Sequence, residues 1–151
     1  YTIGSPSSGS ATLDDDPAVV TLDVIEPVAI EGSGIPGEIQ LGRSGGNIGT
    51  PLRIYFTIDG TATRNVDYTL SPSPFGAGGN LFFLDMAANN TSLSIHVTAL
   101  LDEEEEMDES AEFQLAPWQS PAHEYNIGVP AQGTVTIINL DLIFRGGFET
   151  Q

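Results

Sequence analysis

Ser92-Leu93-Ser94-Ile95-His96-Val97-Thr98-Ala99-Leu100-Leu101 runs directly into Asp102-Glu103-Glu104-Glu105-Glu106-Met107-Asp108-Glu109-Ser110-Ala111-Glu112-Phe113-Gln114-Leu115. The first eight residues alternate. Leu93, Ile95 and Val97 face one way and Ser94, His96 and Thr98 the other, the period of a strand buried on one face. Eight carboxylates crowd the eleven residues from Asp102 to Glu112. Confined to one loop, such charges repel one another, and a divalent cation is an efficient way to hold them together.

The same alternation extends outward. Candidate strands fall at 19–25, 38–43, 52–58, 81–84, 92–99, 112–116 and 134–139, separated by Gly/Pro/Asn/Asp clusters at 32–37, 44–51, 71–80, 87–90 and 117–130. No helical stripe of useful length appears. Seven short strands with this punctuation predict an all-β, antiparallel, immunoglobulin-like sandwich.

Charge and composition narrow the function. Twenty-one acids face four arginines and no lysine, for a net charge of −17. That surface cannot neutralise phosphates, which excludes nucleic-acid binding and disfavours anionic membranes. No apolar run approaches a membrane span, so no direct membrane insertion is expected. With no cysteine there is neither a disulfide nor a thiolate metal site.

Catalytic patterns fail on context. Residues 32–37 fit a glycine-rich nucleotide loop, but a Pro interrupts it and a strand follows, so a turn is predicted. Residues 42–46 fit a nucleophile elbow without the helix that motif requires. His96 lies on a polar strand face and His123 in a loop. No catalytic residue is assigned, and the chain is expected not to be an enzyme.

Residues 1–13, Tyr-Thr-Ile-Gly-Ser-Pro-Ser-Ser-Gly-Ser-Ala-Thr-Leu, match residues 125–137, Tyr-Asn-Ile-Gly-Val-Pro-Ala-Gln-Gly-Thr-Val-Thr-Ile. Tyr, Ile, Gly, Pro, Gly and Thr recur at the same spacing. Residues 1–16 are therefore read as the last strand and linker of a preceding, similar repeat. Residues 17–141 form the sandwich, and 142–151 an apolar, glycine-hinged tail. No signal-peptide pattern precedes Tyr1, so a processed product or a piece of a longer protein is expected.

From residue 18 to residue 141 the chain resembles the Calx-beta domain. The resemblance is carried by Ala29-Ile30-Glu31-Gly32, by Leu41-Gly42-Arg43-Ser44-Gly45-Gly46 and by Pro51-Leu52-Arg53-Ile54-Tyr55-Phe56. Its most specific part is Gly60-Thr61-Ala62-Thr63-Arg64-Asn65-Val66-Asp67-Tyr68, close to the family's GTAT, three residues, DY. The acid loop before Phe113-Gln114-Leu115 and the closing Gly133-Thr134-Val135-Thr136-Ile137 complete the order.

The resemblance implies calcium bound in loops at one tip of the sandwich. Glu31, Asp67, Asp102, Glu103, Glu106, Glu109 and Asp141 are the implied metal ligands. Calcium takes six to eight oxygens, more than any one of these loops supplies. Where the family often ends in a run of Asp, this chain has Asn139-Leu140-Asp141, which implies fewer ions. For the acid loop itself three states stay open: solvated without metal, a weak site near 10⁻⁴–10⁻³ M, or a tight multi-ion site. Asp67 has a second reading, as the acceptor of an Asx-turn.

The implied function is a non-catalytic calcium-binding module of a secreted or cell-surface bacterial protein, serving adhesion, spacing or support of a neighbour. The tail Ile143-Phe144-Arg145-Gly146-Gly147-Phe148-Glu149 resembles the IF-x-DGFE ending of secreted proteins of some gammaproteobacteria, with Gly147 in place of the Asp. Expected partners are neighbouring domains of the same parent chain, and protein or glycan at a cell surface. The alternative is a metal-free recognition module that binds glycan or protein through residues 117–130, where Trp118 and Tyr125 either present rings to a ligand or pack beneath the loop.

Overall fold

The computed structural model describes residues 16–102, 107–119 and 124–139. Eleven strands follow in chain order: β1 (Ala18–Glu26), β2 (Val28–Ile30), β3 (Gly37–Ser44), β4 (Leu52–Asp59), β5 (Tyr68–Ser71), β6 (Phe75–Gly78), β7 (Leu81–Met86), β8 (Ser92–Ala99), β9 (Glu109–Leu115), β10 (Tyr125–Ile127) and β11 (Gln132–Ile138). They form a five-stranded sheet, β10-β1-β3-β8-β5, and a six-stranded sheet, β2-β11-β9-β4-β7-β6.

Alternation explains the core. Val20, Leu22, Ile39, Leu41, Ile95 and Val97 point inward from the five-stranded sheet and are fully buried. Ile54, Phe56, Ala111, Phe113 and Val135 meet them from the other sheet. Burying each larger side chain contributes about 1.5–3 kcal/mol before entropy is counted. On β8, Ile95 and Val97 are buried while His96 and Thr98 are exposed, as the sequence pattern predicts. All seven expected strands form. Four more appear: β2, β5, β6 and β10 have three or four residues each, too few for a periodic signal.

The sandwich is not purely antiparallel. β1 pairs in parallel with β10 (Val19 opposite Asn126), and β2 pairs in parallel with β11 (Ala29 opposite Ile137). The reason lies in Pro27. It lacks the N–H a ladder needs, so the first segment leaves one sheet there and joins the other, just after an irregularity between Val24 and Glu26. The segment from 125 to 138 makes the same crossing beside it. Gly128 N donates to Val20 O at 2.7 Å, Leu22 N to Pro130 O at 2.8 Å and Thr136 N to Pro27 O at 2.8 Å. Two chain segments that change sheets side by side must run parallel.

Two rings of the 117–130 region, those of Trp118 and Tyr125, pack inward. Tyr125 is buried, and its hydroxyl donates to Ala116 O at 2.6 Å while accepting from Tyr55 N at 3.0 Å. Trp118 is half-buried, edge-on to Tyr55 (5.4 Å between centroids) and to Tyr125 (6.0 Å). Of the two roles open to these rings, packing is the one the structure adopts. Residues 1–15 and the tail, with the repeat and ending read from them, lie outside the described residues, as does His123.

Candidate metal centre

The carboxylates of interest are placed by backbone hydrogen bonds that join segments distant in sequence. At the end of β2, Glu31 N donates to Ile138 O at 3.1 Å, which sets Glu31 beside the exit of β11. Glu31 is buried, and so is Asn139. On the other flank of β11, Ile137 lies opposite Glu109, the first residue of β9.

The next residue of β9 carries the turn that holds Asp67. Ser110 O accepts from Ala62 N at 3.0 Å, Ser110 N donates to Thr61 Oγ1 at 2.9 Å, and Thr61 N donates to Ser110 Oγ at 3.3 Å. Gly60 makes this approach possible: its φ is +113°, and a Cβ there would stand 2.1 Å from Ser110 O. The turn is closed by Asp67, whose Oδ2 accepts from Thr63 N at 2.5 Å and whose N donates to Thr63 O at 2.9 Å. Asn65, at φ +67°, takes the left-handed position that Asn tolerates. The Asx-turn reading of Asp67 is right that its carboxylate accepts from a backbone N–H and wrong about which one, since the donor lies four residues back in the chain.

From Asp67 the ring continues to β8. Asp67 O accepts from Leu100 N at 2.8 Å, which sets Asp102 two residues further along. Leu101 returns to the start, with its methyl groups 3.7 and 3.8 Å from where a Cβ on Gly32 would be. Glu31, Asp67, Asp102, Glu109 and Asn139 therefore share one end of the sandwich. Glu103, Glu106 and Asp141 lie outside the described residues. Among the described residues, no three Asp, Glu or His side chains form a group that could hold a metal ion.

Asn139 is a residue that sequence reasoning undervalued. Counted there as a lost carboxylate, it is buried at this end, and an amide oxygen is a calcium ligand type. Its position just after an alternating strand was the available signal. Two acids of the run point elsewhere. Glu112 faces outward from β9 and accepts from Ser110 Oγ at 3.3 Å, and Asp108 is exposed.

Neither glycine-rich pattern meets the helix its motif requires. Residues 31–33 form a turn and β3 begins at Gly37, while β3 ends at Ser44 with no helix after it. His96 sits on the exposed face of β8, 4.0 Å from Glu38 across the ladder.

No family model matches the chain, and no curated protein matches it. Among solved structures, the apo form of the Calx CBD1 domain superposes with a TM-score of 0.54 at 19% identity, over 81% of this chain and 98% of that one. The fold is that of the Calx-beta domain. The Calx CBD2 domain gives a TM-score of 0.51 at 18% identity, over 82% and 87%. CBD12 from CALX1.2 gives 0.54 at 20% identity, where this chain spans 44% of the longer one. At these identities the Calx-beta likeness is one of architecture, and the chemistry has to be argued from this chain's own residues.

Proposed function

We propose that this chain is a non-catalytic, calcium-binding Calx-beta module. The observation that carries the reading is the closed ring of contacts 31–138, 137–109, 110–62, 67–100 and 101–32, which draws acids from four separate segments to one end. Glu31, Asp67, Asp102, Glu103, Glu106, Glu109 and Asp141 are the proposed ligands, with the Asn139 amide beside them. Glu31 and Glu109 stand on the six-stranded sheet, and Asp67 and Asp102 at the ends of β5 and β8 in the other. An ion held between the two groups would cross-link the two sheets at this end.

In the parent protein the module serves as a spacer or adhesive element that supports neighbouring domains, at a bacterial cell surface or in secreted form. Extracellular calcium is abundant enough to fill a site in the 10⁻⁴–10⁻³ M range, the affinity class of extracellular modules. The net charge of −17 suits such a setting by attracting cations and opposing nonspecific association.

Isothermal calorimetry with calcium and then magnesium, together with melting scans in calcium and in chelator, tests the proposal. At a hundredfold excess over Kd, bound calcium should add about 2.7 kcal/mol of stability. Superimposable melting curves with no calcium heat would remove the metal and leave a purely structural module.

A further inference from the structure

The outer face of the six-stranded sheet carries its side chains in rows set by strand register. On β4, Leu52, Ile54, Phe56 and Ile58 are buried, so Arg53, Tyr55, Thr57 and Asp59 face outward. Tyr55 lies opposite Phe83 on β7, and Phe83 opposite Phe75 on β6. The result is a row of rings, with centroids 5.7 Å apart from Tyr55 to Phe83 and 5.4 Å from Phe83 to Phe75. Two residues along the strands, about 7 Å, a polar row crosses the sheet. Thr57 lies opposite Gln114 on β9, and Gln114 opposite Gln132 on β11. Beyond it, Asp59 lies opposite Glu112, and Glu112 opposite Thr134.

The rings are held in place. Arg53 is forked onto Asp85 at 2.8 and 3.0 Å, and its guanidinium lies 4.0 Å from the centre of the Phe83 ring. Phe75 stacks on Phe83 with the two rings inclined by 23°, and its other face is left to solvent, with the residue 62% exposed. The polar row is free where the rings are fixed. Among the described residues, the side chains of Thr57, Gln114 and Gln132 have no hydrogen-bond partner. With Asp59, Glu112 and Thr134 they border a cleft of about 210 Å³.

We propose that this face binds a neutral glycan, with sugar rings lying on Phe75 and the ring row and their hydroxyls bonded to Thr57, Gln114 and Gln132 in the cleft beside it. The chemistry selects the occupant. A sugar has an apolar C–H face and a rim of hydroxyls, so it needs an aromatic surface next to amides and hydroxyls. A protein partner would need a broader apolar centre than three rings. An anionic ligand would meet Asp59 and Glu112 in the cleft and a net charge of −17 around it. Because Arg53 and Phe75 already fix the Phe83 ring, binding loses little side-chain freedom there. The surface stands apart from the calcium reading: Gln114 is five residues along β9 from Glu109, about 17 Å.

Native electrophoresis of the full chain, in chelator, through gels containing hydroxyethyl cellulose, galactomannan or soluble starch tests the proposal, with polygalacturonate as the anionic counterpart. At least one of the three neutral polymers should retard the chain, and polygalacturonate should not. Phe75→Ala and Gln114→Ala should each weaken the apparent affinity at least tenfold. Ile35→Ser, at a residue 65% exposed between β2 and β3, should leave it within twofold. β6 buries nothing and Gln114 is exposed, so both variants should keep the wild-type midpoint in urea, which separates a lost site from a lost fold. No retardation by any of the three neutral polymers, retardation by polygalacturonate alone, or equal retardation of the wild type and both variants would overturn the proposal. A dimer on size exclusion that Phe75→Ala abolishes, with no retardation by the neutral polymers, would assign the face to a second copy and overturn it as well. Every run is in chelator, so failure here leaves the calcium reading standing.

Discussion

Gly60→Ala should do more damage than its size suggests, and the structure says how much. A methyl at residue 60 would lie 2.1 Å from Ser110 O, 2.9 Å from its carbonyl carbon and 3.2 Å from Glu112 N, all of them backbone. None of these can swing aside, so the turn must leave β9. That breaks the bonds Ala62 N–Ser110 O, Ser110 N–Thr61 Oγ1 and Thr61 N–Ser110 Oγ, each worth about 1 kcal/mol net. The positive φ adds strain of about 1–2 kcal/mol for an L-residue. Together the loss is about 4–5 kcal/mol. Gly34→Ala is the control: its φ is +72°, but nothing stands within 4 Å of the added methyl, so only the strain of about 1–2 kcal/mol remains. Urea unfolding separates the two. With a slope of about 2 kcal/mol per molar, the Gly60 variant should lose about 2 M in midpoint and the Gly34 variant less than about 1 M. If both lose the same amount, the close approach of the turn to β9 does not hold the carboxylate end together.

Tyr125→Phe removes a hydroxyl that serves both Ala116 O and Tyr55 N in a buried position, and should cost about 2 kcal/mol in urea unfolding with an unchanged slope. Alkaline pH should unfold the domain for a related reason: burial pushes the Tyr68 and Tyr125 phenols up to about 12, above the value near 10 that they take in the unfolded chain. Their contribution is complete below pH ~10 and lost as pH rises through 12, and the midpoint should fall less steeply in Tyr125→Phe. Asp67→Asn keeps an oxygen for Thr63 N while removing a charge, so metal-free stability should hold within about 1 kcal/mol while the calcium-induced rise in melting temperature shrinks. An Asn variant with the full calcium response would remove Asp67 from the ligand set.

The fold was legible where one face of a strand is buried. β3, β4, β8 and β11 read correctly because buried residues such as Ile39, Ile54, Ile95 and Val135 fall at every second position, with half-buried or exposed residues between them. β6 was illegible because Phe75-Gly76-Ala77-Gly78 buries nothing and is a strand only by pairing with β7. The parallel pairs were hidden for a different reason. Pro27 can be read as a break in a strand, but not as a change of sheet, since that depends on a neighbour about a hundred residues away. At the candidate site the residue types were readable, and so was the turn of residues 60–68. The burial of Asn139 was not, because it follows from where β11 ends relative to β2.

The division of labour between core and tip follows from these placements. Tyr68, Phe56 and Phe113 are fully buried in one hydrophobic cluster with the aliphatic residues around them. Such a core should fold the domain whether or not an ion is present, unlike a small metal module whose ligands are its core, and an unchanged far-ultraviolet circular dichroism spectrum in chelator would bear this out. What the ion would change is the end where four loops carry acids. There Asp67 caps its own turn through Thr63 and also sits on the backbone of Leu100, so a shift in the carboxylate moves the entry to β5 and the exit of β8 together. A charge placed at this end is therefore felt at once, through two hydrogen bonds, by β5 and β8, which are neighbours in the five-stranded sheet.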